Sequence, residues 1–240
     1  MAAAVVNAAR EAMLGRIRAA LGDVPPGEAP GDVPVARDYR RAGELSAADR
    51  LARFADRVRD YNAEVVVTDS AGLPAALDDA CVAMGLVRVA VPAELPDAWR
   101  PAAAEIVEDH GLGAGELDVL DGAVTGCASA IADTGTLVLD GRGVSGRRLI
   151  TLVPDHHVCI ISAEQIVELV PEAIAALAPA VRDGGAPVTF VSGPSASSDI
   201  ELSRVEGVHG PRHLWVLIVD DSPGGGQSPV RPERSSGTSR

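Results

Sequence analysis

No lysine occurs in the 240 residues, and all 21 basic residues are arginine. A Schiff-base lysine and a P-loop lysine are therefore excluded. Aromatic residues are nearly as scarce, two each of Trp, Tyr and Phe against a hydrophobic content of 47%. A core must then be built from Ala, Val, Leu and Ile, a composition that suits helices laid over a Val/Ile/Leu-rich sheet. Cysteine is limited to Cys81, Cys127 and Cys159, odd in number and far apart. That spacing suits reduced core thiols. With no CxxC pair, neither a disulfide framework nor an iron-sulfur cluster or structural zinc held by this chain alone is expected. No apolar run approaches the roughly 18 residues a membrane helix needs. The N-terminus shows no basic segment followed by an apolar core, so the chain reads as cytoplasmic. A net charge of -13 sets nucleic acid and anionic membranes against most of the surface, leaving small ligands and protein partners.

Periodicity divides the chain into three parts. Residues 1–43 hold an amphipathic helix, with Val6, Met13, Ile17 and Leu21 near helical spacing, followed by a proline-rich arm. Residues 44–221 form an α/β domain. Its first helix is capped at Ser46, with Asp49 three residues on, and ends near Asn62. Strands follow at 64–68, 87–91, 117–120, 136–140, 157–161, 188–191 and 214–219, and helices at 74–84, 101–109, 125–132 and 163–177. This alternation predicts an α/β fold with a mostly parallel sheet flanked by helices, its ligand sites at the carboxyl ends of the strands. Residues 222–240 are Gly, Ser, Pro and Arg without period, a composition expected to be disordered.

Most of the chemistry gathers in Val191–Arg212. Val188-Thr189-Phe190-Val191 suits a buried strand, and Gly193-Pro194 turns the chain. Ser198 and Glu201 form a capping box that starts a two-turn helix, which Gly207 stops. A strand leading through a Gly/Ser loop to a helix N-terminus is an anion-binding arrangement, and an ordinary capped helix explains the same letters. Asp199 and Glu201 in the first turn would repel an anion unless an arginine offsets them. His209 and Arg212 follow the helix and add a titratable ring and a guanidinium.

Three further stretches carry potential chemistry. Gly141–Gly146 matches GxGxxG after a strand, but no crossover helix fits before Pro154, so a plain glycine loop is the better reading. Arg142, Arg147 and Arg148 still make it the most basic stretch, suited to carboxylates and phosphates as well as to a solvated surface. Asp133-Thr134-Gly135-Thr136 offers a close backbone approach and a carboxylate that can accept a proton; it also reads as a helix-stop turn. His156-His157 is a weak metal signal, because adjacent strand residues face opposite ways, and one of the two is expected to point inward.

Three separated motifs, 130–139 (AIADTGTLVL), 148–157 (RLITLVPDHH) and VSGPSASSDIEL with GVHGPR, occur in the order seen in the lactate utilization protein C family, whose defining unit is the LUD domain. The chain resembles that family most strongly from about Thr125 to Val219. Asp133 stands where glutamate is more usual, and the tail extends past the shared domain. The resemblance implies participation in oxidising L-lactate to pyruvate, with two partner proteins of which at least one bears iron-sulfur clusters. It also implies a fold similar to the ribose-phosphate isomerase, glucosamine-phosphate deaminase and CoA-transferase group. No cofactor is expected in this chain itself. The candidate catalytic residues are Asp133, Glu201 and His209. The candidate ligand contacts are Thr134, Gly135, Arg147, Arg148, Gly193, Ser195, Ser198, Asp199 and Arg212. The alternative is a stand-alone isomerase or acyl/CoA-transferase-like enzyme acting on a small phosphorylated or CoA-linked ligand.

Overall fold

A computed structural model describes residues 2–25, 27, 29, 31–32, 34–185, 187–197, 205–206 and 210–223. Two compact units divide the chain, one over Met1–Tyr39 and one over Arg40–Arg240. The first contains helix α1 (Ala2–Ala20), as the periodicity predicts. Within it Met13 and Ile17, with Leu21 just beyond, stay exposed.

The second unit opens with α2 (Ala47–Asp60), where the Ser46 hydroxyl accepts from the Asp49 amide and Phe54, Ala55 and Val58 are buried. It stops where Asn62 takes a left-handed φ of 62°, a conformation asparagine tolerates. Then come β1 (Glu64–Thr68), α3 (Leu73–Ala83), β2 (Arg88–Pro92), β3 (Glu105–Asp109), α4 (Ala114–Leu117), β4 (Gly122–Gly126), β5 (Ser129–Ile131) and β6 (Thr136–Leu139). β7 (His156–Ser162), β8 (Ile166–Val167), α5 (Val170–Gly184), β9 (Thr189–Val191), β10 (Ala196–Ser197), β11 (Val205–Glu206) and β12 (His213–Val219) complete the order.

Six strands form one sheet in the order β1-β12-β7-β4-β2-β3, every neighbouring pair parallel. Its central strands are apolar on both faces because both faces are covered. On β12, Leu214, Val216 and Ile218 pack toward α2 and the second sheet, while Leu217 and Val219 pack toward Leu73, Leu77 and Cys81 of α3. The second sheet, β8-β5-β6-β9, buries Ile131 and Val138 against Ala173 and Leu177 of α5.

Several local expectations fail, most of them where tertiary pairing overrides the local pattern. The predicted helix at 101–109 is largely strand, because Ile106 and Val107 pair with Val89 and Ala90. The predicted helix at 125–132 is instead the end of β4 followed by β5, and Leu117 ends a short helix where a strand was expected. The helix expected over 163–177 is a single 3-10 turn and a two-residue strand before α5 begins at Val170. Val205-Glu206, the last residues of the helix predicted from Ser198, pair antiparallel with Ala196-Ser197. Its earlier part, 198–204, lies outside the described residues, as do 224–240 of the tail. The glycine loop at 141–146 holds a 3-10 turn over Gly143–Ser145 and no crossover helix, in keeping with the plain-loop reading.

Candidate functional site

A cleft of about 230 Å³ opens between the amino ends of β7 and β12 and the loop that follows β9. Arg148, Thr151, His157, Ser192, Gly193, Ser195 and Gly210 line it, with Leu214 on the floor. It faces away from the carboxyl ends of the parallel strands, where ligand sites were expected. A hollow of about 710 Å³ does lie at those ends, between α2, Ser162 and Val219. Its charged residues are Glu164, Asp220 and Asp221 against Arg50 alone, and Arg50 directs Nη1 to the Leu45 carbonyl at 3.1 Å. That lining repels an anion.

Two elements supply the polar groups of that cleft. The 3-10 turn Arg148–Thr151 lets Arg148 donate through Nη1 to the Thr151 carbonyl (2.9 Å) and hydroxyl (3.1 Å). Anchored so, the guanidinium keeps Nε and Nη2 without a protein partner among the described residues. Burial holds its pKa below the usual arginine value. β7 supplies His157, 1% exposed, whose Nε2 lies 2.8 Å from the Thr125 hydroxyl on β4. Burial, reinforced by the nearby positive charge of Arg148, pushes this imidazole down to about 4. It is neutral at neutral pH.

The opposite wall is the loop Ser192–Ser195. Gly193 has φ +83°, and a Cβ there would meet the Tyr61 Cβ at 2.4 Å, so only glycine lets the loop pass over the end of α2. The Ser195 amide donates to the Pro211 carbonyl at 2.7 Å, tying this loop to the segment that enters β12. Ser192 is in turn the end of a hydroxyl chain: Thr134 Oγ1 and Thr136 Oγ1 are 2.7 Å apart, and Thr136 Oγ1 and Ser192 Oγ are also 2.7 Å apart.

Of the residues singled out in the sequence, Arg148, Gly193 and Ser195 come together in the cleft. Asp133, Thr134 and Gly135 form the β5–β6 turn behind it, linked to it by the hydroxyl chain. The Asp133 carboxylate pairs with Arg53 of α2 at 3.3 Å and does not line the cleft. Arg147 turns the other way, donating through Nε to Asp109 at 2.7 Å and through Nη2 to the Leu112 carbonyl at 2.8 Å. Arg212 pairs with Asp155 at 3.4 Å in a separate hollow beside His156. Ser198, Asp199, Glu201 and His209 lie outside the described residues. The inward histidine expected of the His156-His157 pair is His157, while His156 stacks on His213 with ring centroids 4.8 Å apart.

Thr125, Thr151 and Ser192 were missed. Thr125 was assigned to a helix, which hid its place beside His157. The cysteines are all buried. A hydrogen bond with Cys159 and burial push the Cys127 thiol up, and burial and Asp78 push Cys81 up to about 11. They sit in the core as thiols.

A LUD domain family model matches residues 116–219, a span that contains β4, β7, β12 and most of the cleft. A Deinococcus radiodurans protein named lactate utilization protein C is 45% identical over 183 residues, covering 75% of this chain and 84% of that protein. One of the same name from Geobacillus thermodenitrificans is 29% identical over 195 residues, covering 73% of this chain and 80% of that protein. The crystal structure of a DUF162 family protein from Deinococcus radiodurans superposes with a TM-score of 0.64 at 39% identity, over 73% of this chain and 99% of that one. By its sequence and its fold, the chain belongs to the lactate utilization protein C family of LUD-domain proteins.

Proposed function

We propose that this chain serves lactate utilization as the cluster-free subunit of a system that oxidises L-lactate to pyruvate. In this reading it holds the organic acid, while partner subunits carry iron-sulfur clusters and take the electrons. The observation that carries it is Arg148: a partly buried guanidinium, fixed at Nη1 by Thr151, with two nitrogens that have no partner among the described residues, beside a cleft of about 230 Å³. A carboxylate fits such a planar donor pair side-on, as a phosphate also does. The names of the relatives and the acid-sized cleft converge on the same class of ligand. The three buried thiols are spread over two core clusters, fewer than the four thiolates a common cluster takes, so the electrons are assigned to the partners.

The test is reconstitution. The chain expressed alone is expected to be colourless and to reduce no dye with L-lactate. Adding cluster-bearing partners from the same cell should give lactate-dependent dye reduction. Arg148→Gln in the reconstituted system should lower kcat/KM about a hundredfold, the scale of losing a desolvated charged hydrogen-bond pair. A flavin or cluster band co-eluting with activity from the isolated chain would overturn the assignment. So would full activity in Arg148→Gln.

A further inference from the structure

Arg148 is held by its own turn. Its Nη1 donates to the Thr151 carbonyl at 2.9 Å and to the Thr151 hydroxyl at 3.1 Å. That hydroxyl in turn donates to the Arg148 carbonyl at 3.2 Å. It therefore grips the arginine twice, accepting from the head of the side chain and donating to the backbone below it. Thr151 is only 3% exposed, which leaves little access for water to take its place. A guanidinium has two edges that fit a pair of oxygens, one made by Nη1 and Nη2 and one by Nε and Nη2. Thr151 occupies the first at Nη1. The second has no partner among the described residues, and burial alone acts on the charge of Arg148. A long side chain is thus set in one orientation by the protein's own contacts, and its ordering is no longer a cost that a ligand meets.

We propose that Thr151 is a positioning residue, its hydroxyl turning the Nε and Nη2 edge of Arg148 into the cleft so that an anion with two oxygens is preferred to a single-point anion of equal charge. The inference rests on the anion-binding reading of the cleft given above and goes beyond it, by assigning the shape preference to a second side chain. Charge alone gives no such preference. A loose guanidinium attracts chloride and a carboxylate alike, whereas a fixed fork makes two parallel hydrogen bonds at once and rewards the anion that can accept both.

The experiment titrates the full-length chain with L-lactate and with inorganic phosphate by calorimetry, and reads chloride binding from the broadening of its NMR line. Thr151→Val keeps the shape of the side chain and removes the hydroxyl. It should weaken L-lactate about tenfold, the scale of having to order one long side chain on binding, and change chloride less than about twofold. Thr151→Ser should return L-lactate to within about threefold of the parent. Arg148→Gln should abolish all three anions. If Thr151→Val fails to fold, Thr151→Ala carries the same comparison. Equal losses of L-lactate and chloride in the valine or alanine variant, or no loss of either, would overturn the role of Thr151 while leaving the anion reading standing on Arg148→Gln. Phosphate binding more tightly than L-lactate, with the same tenfold loss in Thr151→Val, would overturn the carboxylate reading and support the role of Thr151. L-lactate and phosphate both failing to bind the parent, or binding Arg148→Gln undiminished, would overturn both.

Discussion

His157 titrates abnormally because it is packed and not because it is paired with an acid. Its ordinary value is 6.5 and its folded value about 4, so between those limits the unfolded chain takes up a proton that the folded one refuses. Stability is therefore full above about pH 6.5 and falls as the pH drops toward 4, by about 3 kcal/mol in all. Glu168 acts in a lower window. The amides of Leu45 and Glu44 donate to one of its oxygens at 2.7 and 2.6 Å, and Arg40 sits 3.2 Å from the other. Its pKa is held below the ordinary carboxylate value, first by the Leu45 amide. What it contributes is present above that ordinary value and is lost as the pH falls through the lowered one. Urea midpoints measured between pH 7 and 3 should show two successive slopes, and His157→Gln should flatten only the upper one. A single slope confined to pH below 4.5 would mean that His157 is open to water.

The β5–β6 turn shows how a short element is set by one position. Gly135 has φ +59°, and a Cβ there would fall 2.7 Å from the Arg57 Cβ and 2.8 Å from its backbone carbon. Gly135→Ala should cost about 1–3 kcal/mol by denaturant titration, from backbone strain alone and more if α2 has to move. Such local signals were readable in advance. The Ser46 cap, the strand at 64–68, the stop near Asn62 and the glycine at 135 all announce themselves within a few residues. So did the inward histidine. What could not be read was pairing: Glu105–Asp109 has acidic residues at helical spacing and becomes strand only because β2 lies beside it. Thr125-Gly126 reads as the start of a helix until β7 supplies its neighbour. The site suffered the same way. Arg148 was visible as one of three arginines, but only the fold turns Arg147 to Asp109 and leaves Arg148 in the cleft. The cleft's place at the amino ends of the strands depends on a second sheet that no periodicity in the sequence foretold.

At the scale of the molecule, β12 is the strand on which the main sheet depends, paired with β1 on one side and β7 on the other. Leu217, fully buried under α3, should cost about 2–5 kcal/mol when cut to alanine. The loss should appear as one cooperative transition shifted to lower denaturant, not as a separate early melt. β12 is also the last strand among the described residues. Residue 64 finds its partner at residue 215, and contacts of such long separation close slowly. On the ribosome, β1 and β7 emerge before β12 and keep open edges until it follows. A chain broken off before His213 would retain two bare, apolar parallel edges. Those are the surfaces on which unfinished copies stick to one another, so this protein should be sensitive to interrupted synthesis out of proportion to its finished stability.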